Sequence, residues 1–115
     1  MGRYYTEETG GATREAVEEI VLGWPEVTAS KLFGCPSYRG AGILFAFVSD
    51  WGLVLTKLSD EERVRADEEL GPEPEVDLAG KSAKWRFVEV DDGNTAQVAP
   101  FLRICYEHSL AEAGG

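Results

Sequence analysis

The chain has 115 residues, 43% of them hydrophobic and 10% aromatic, with a formal net charge of −10 and a pI near 4.5. That length suits one domain with its own core, and the apolar fraction excludes global disorder. The acidity opposes attraction of the whole protein to nucleic acid or an anionic membrane, and no apolar run approaches the roughly 20 residues that cross a bilayer.

Met1 to Gly11 is polar and holds no apolar signal core, so a cytoplasmic protein is expected. Cys35 and Cys105 are too few for a disulfide scaffold and are expected to be reduced, buried small hydrophobes. Charge is unevenly placed. Residues 28–58 and 79–90, which read mostly as strands, are mildly basic, and the segments between and around them are acidic. Acidic, solvated helix faces account for that pattern.

In chain order, Gly10-Gly11 is expected to separate a mobile leader (residues 1–12) from a single domain (13–115). Thr13 is the expected cap of a first helix, with Ala16, Val17, Ile20 and Val21 on its apolar stripe, ended by Gly23-Trp24-Pro25. Val27 to Phe33 alternates as a strand. Gly34-Cys35-Pro36 interrupts it, because proline in a sheet marks a bulge, kink or edge. Ser37-Tyr38-Arg39 continues, Gly40-Ala41-Gly42 turns the chain, and Ile43 to Ser49 is a nearly unbroken apolar strand. Asp50-Trp51-Gly52 joins it to a strand from Leu53 to Leu58. Ser59 with Glu62 forms a capping box opening a thinly apolar helix to about Leu70. An acidic loop, Glu73 to Ser82, leads to an alternating strand, Lys84 to Val90, with Trp85 and Phe87 on one side. A last helix runs from about Thr95 to Ala113, with Pro100 marking either its true start or a kink.

These elements predict a two-layer α+β fold, an antiparallel sheet of about five strands with helices on one face. The other face is then open to water or to a partner.

Phe33-Gly34-x-Pro36-x-Tyr38, then Leu44-Phe45-Ala46, the hairpin into Leu53-Val54-Leu55-Thr56-Lys57, the capped helix at Ser59 and Gly80-Lys81-x-x-Lys84-Trp85 resemble the TfoX N-terminal-domain family. The likeness covers roughly residues 15–110, with the YjbR-like proteins next nearest. It implies a secretion-chaperone-like two-layer fold. The name-giving members regulate DNA-uptake competence and carry a further C-terminal helical domain. This chain is expected to resemble the small stand-alone members instead.

Chemistry is sparse. His108 lies one turn after Cys105, but two ligands make no metal site, and pairing Cys35 with His108 for nucleophilic catalysis needs an oxyanion pocket that no motif supplies. The acidic pairs, such as Glu61/Glu62, fall on solvated faces. Gly40-Ala41-Gly42 lacks the lysine and following helix of a phosphate cradle. No catalytic residue, metal or cofactor is expected. One constellation remains: Lys31, Arg39, Lys84 and Arg86 on strands, with Tyr38 and Trp51 near turns, as a ligand or partner face. The expected function is a non-catalytic binding or regulatory module contacting a protein partner or a small anionic ligand, through the open sheet face or an edge strand. A homodimer is one form of that contact. Nucleic-acid binding through the strand cations is the rival, disfavoured by net charge, and a small cysteine-dependent enzyme stands third.

Overall fold

In a computed structural model that describes residues 4–76 and 82–114, three helices pack on one face of a five-stranded antiparallel sheet. The sheet is an open meander in the order β1 (Val27–Leu32), β2 (Cys35–Gly40), β3 (Ile43–Ser49), β4 (Gly52–Leu55), β5 (Arg86–Val88). Helix α1 spans Glu7–Val21, α2 Asp60–Leu70 and α3 Thr95–Gly114.

Local chemistry sets the turns. Leu32 pairs with Cys35, so Phe33 and Gly34 form a two-residue hairpin loop with φ of 53° and 80°. Gly40 pairs with Ile43 across Ala41-Gly42, at 52° and 87°. Positive φ at both central positions gives the turn twist that suits right-handed strands. The expected interruption at Gly34-Cys35-Pro36 is therefore a turn followed directly by a strand. Pro36 is tolerated there because it lies beyond the last β2–β3 pair, Ser37 with Phe47. A bulge between Tyr38 and Arg39 gives β3 one extra residue, Phe45.

The N-terminal segment differs from expectation. Helix α1 begins at Glu7, capped by Thr6, and runs through Gly10-Gly11, so residues 7–12 are no mobile leader and Thr13 is no cap. Asp50 ties the segment down: its carboxylate accepts the Thr6 N–H at 2.8 Å, and its own N–H donates to Tyr4 O at 2.8 Å. The glycine serves close approach, since a Cβ at Gly10 would lie 2.5 Å from the Tyr5 ring. The Ser59/Glu62 capping box forms as expected. Pro100 neither starts nor ends α3; Asn94 O accepts the N–H groups of Gln97 and Val98, and the helix continues past the proline.

Between helices and sheet, Tyr38, Phe45, Val48, Leu53 and Leu55 pack against Val17, Val21, Phe101, Leu102 and Tyr106. The opposite face is covered too, correcting the expectation that it lies open. Cys35, Phe47, Val54 and Phe87 are all at most 4% exposed there. Val76, on the strap that follows α2, shares that cluster, and Tyr4, Trp51 and Trp85 pack on it. The unbroken apolar run of β3 has this physical basis, since both of its faces need apolar side chains.

Candidate docking edge

Alternation along β2 and β5 divides the expected ligand face. Tyr38 is fully buried on the helix side, and its hydroxyl donates to Glu18 at 2.8 Å. Burial first, and the Glu18 carboxylate second, push that phenol above its ordinary range. Arg86 is 2% exposed. Its guanidinium meets Asp67 at 3.0 Å, donates to Gly71 O at 2.8 Å and also reaches Phe87 O. Both residues hold the fold, and neither offers itself to a ligand.

The other members do not converge. Arg39 is half-buried near the Ala41-Gly42 turn, and Trp51 follows β3 at the sheet's other end, half-buried, with its ring 6.4 Å from Tyr4. Lys84 is exposed just before β5, whereas Lys31 is exposed on β1, four strands away. The expected cationic and aromatic platform is thus not assembled. Gly80 and Lys81 of the family-like element lie outside the described residues. A small cleft between Pro72, Pro74, Arg86 and Asn94 has Glu89 and Asp91 on its lining, which opposes a small anion.

The thiols are inert by environment. Burial, helped by the charge of Asp50, pushes Cys35 up to about 11, and burial pushes Cys105 up to about 12. His108 does not meet Cys35. Its Nε2 lies 3.0 Å from Glu62 Oε1, joining α3 to α2. Among the described residues, no three His, Cys, Asp or Glu side chains converge as metal ligands.

What the sheet does expose is one edge. At β5 the Phe87 N–H is taken by the Glu73 carboxylate at 2.8 Å, and the strap from Gly71 runs alongside. At β1, Thr28, Ala29, Ser30 and Lys31 are all exposed, and among the described residues the strand pairs only with β2. Glu26 O accepts the Ala41 N–H at 3.0 Å, so by the alternation of an antiparallel ladder Thr28, Ser30 and Leu32 also point their main-chain groups toward β2. Ala29 and Lys31 point theirs outward. The Val27 N–H is already bonded to Trp24 O at 3.3 Å. Beside this edge on the helix side runs a groove lined by Arg14, Glu18, Ala29, Lys31 and Pro36. Phe33, 66% exposed, sits at the strand's end against Tyr4, with ring centroids 6.1 Å apart.

Sequence reasoning named Lys31 here but for its charge; the signal for the edge was the short β1–β2 hairpin at the start of the meander. Comparison with known proteins finds no match: no family model, no curated protein and no solved structure.

Proposed function

We propose that the protein is a non-catalytic docking module that receives an extended protein segment along β1. The observation that carries this reading is the asymmetry of the two sheet edges, one capped by Glu73 and the strap, the other with the Ala29 and Lys31 main-chain groups unpaired among the described residues. Unpaired edge groups are a template for an added strand, with main-chain hydrogen bonds giving affinity and alternate side chains giving choice. Natural sheets usually blunt such an edge, and a single lysine on six residues blunts it little. The dispersed cations and the raised thiols speak for docking over the nucleic-acid and enzyme alternatives.

The test is selection of short random peptides displayed on phage, followed by binding to the Ala29→Pro variant. Proline at an outward position removes an edge donor without breaking a bond to β2. Peptides that bind the natural chain and the Lys84→Glu variant, but not Ala29→Pro, are expected. Equal binding to all three places the contact elsewhere and ends this reading.

A further inference from the structure

We infer that the occupant of the β1 edge is the β1 strand of a second copy, paired antiparallel about a two-fold axis through Ser30. This rests on the docking reading above and names its partner.

Geometry narrows the registers sharply. Two copies that extend one sheet across a two-fold axis keep their helix faces on the same side, so residues of like facing must lie opposite one another. Val27, Ala29 and Lys31 share one facing and Thr28, Ser30 and Leu32 the other, by their pairing with β2. An axis through Lys31 sets two lysines face to face and is disfavoured. An axis through Ala29 sets Lys31 against Val27, whose N–H is already spent on Trp24. An axis through Ser30 sets Ala29 of each copy against Lys31 of the other. Both are outward-pointing residues, so all four of their N–H groups and all four of their C=O groups are used.

Charge and apolar surface agree with that register. Lys31 pairs with Pro36 and Ala29 with Tyr38, so both side chains lie on the helix side. Each Lys31 therefore arrives beside the small Ala29 of the other copy, at the groove lined by the Arg14–Glu18 ion pair, whose Glu18 also accepts from Tyr38. Helix α1, behind that groove, holds five glutamates against one arginine, and Glu15 is 74% exposed in its side chain. The pairing also carries the Phe33 tip of each copy, 66% exposed in the single chain, to the Val27 end of the other. Thr28 meets Leu32 on the opposite face. The product is one continuous ten-stranded sheet whose outer edges are the two capped β5 strands.

The register makes a sharp test by disulfide trapping in a Cys35→Ala background, Cys105 being fully buried. In Ser30→Cys the introduced thiols face each other across the axis as a non-hydrogen-bonded pair, with Cα atoms about 4.5 Å apart, inside disulfide range. In Thr28→Cys they lie roughly 13 Å apart along the strands, outside it. Mild oxidation is expected to give a covalent dimer of the first and not of the second, with circular dichroism confirming that both are folded. Sedimentation of the unmodified protein is expected to show monomer–dimer exchange that Ala29→Pro shifts to monomer. Monomer at every concentration, with no trapping at Ser30→Cys, overturns the second copy as occupant. If peptides from the phage selection still bind in an Ala29-dependent way, only the identity of the partner has failed. If they do not, the docking reading fails with it.

Discussion

Arg86 shows how far one residue's environment departs from what its type suggests. Read as a cation on a strand, it belongs to a ligand face; folded, its side chain is 3% exposed and bonded to Asp67 and two carbonyl groups. A buried charge that loses its role leaves those partners unmatched, so Arg86→Ala is expected to destabilise by about 3 kcal/mol in urea unfolding. Lys84, two residues away and exposed, is expected to change stability by less than about 0.5 kcal/mol when replaced by alanine. Equal small effects would mean that the Arg86 network carries no weight. The thiols give a second residue-scale prediction. With Cys35 raised to about 11 and Cys105 to about 12, iodoacetamide at neutral pH is expected to modify neither until denaturant is added. Rapid labelling of native Cys35 would instead restore the enzyme reading.

Among the elements, the β3–β4 hairpin meets β5 in close backbone contact. Gly52 has φ of 123°, and a Cβ there would lie 2.5 Å from Val88 O on β5. Both the backbone conformation and the neighbouring strand resist a side chain, so Gly52→Ala is expected to cost roughly 3 kcal/mol. A loss below about 1 kcal/mol would mean that β5 moves away easily. The strands themselves were largely legible in the sequence, because glycine-bearing turns and apolar runs act over a few residues. The start of α1 was not. Gly10-Gly11 reads as a break by intrinsic propensity, but the Thr6 cap, held by the distant Asp50, starts the helix ahead of it, and Gly10 leaves room for the Tyr5 ring. Of the two roles open to Pro100, a helix start is ruled out, because packing of Val98, Phe101 and Leu102 holds the turns on both sides of it despite the missing donor.

At the scale of the whole molecule, the sequence indicated helices on one face of an antiparallel sheet. It could not show that the other face is closed, because its cover combines Tyr4, Trp51, Val76 and Trp85 from widely separated segments. The candidate site was less legible for the same reason. Facing along a strand follows from alternation, but which face is filled, and which edge a loop caps, depends on contacts between distant segments. The union of α2 and α3 through Glu62 and His108 yields a prediction of pH dependence. Burial alone would raise the Glu62 carboxyl, yet the Ser59 N–H and His108 outweigh it and hold it below its ordinary 4.5. A carboxyl depressed by folding stabilises fully above that ordinary value, and the contribution fades as pH falls through the folded one. Stability measured by denaturant unfolding is therefore expected to drop on acidification below about pH 4.5, and Glu62→Gln is expected to flatten that drop while lowering stability near neutrality. An acid limb unchanged in Glu62→Gln would assign it to other carboxylates.

What is proposed is that β1, paired only with β2 among the described residues, presents an edge that another strand completes. Amide hydrogen exchange resolved by residue measures it most directly, in dilute and in concentrated protein. The account predicts an alternation in the dilute sample, with Ser30 and Leu32 protected by β2 and Ala29 and Lys31 exchanging freely, and slowing of those two alone as concentration rises. Protection of Ala29 and Lys31 already at high dilution would mean that the edge is occupied within one chain, and the docking account would not stand.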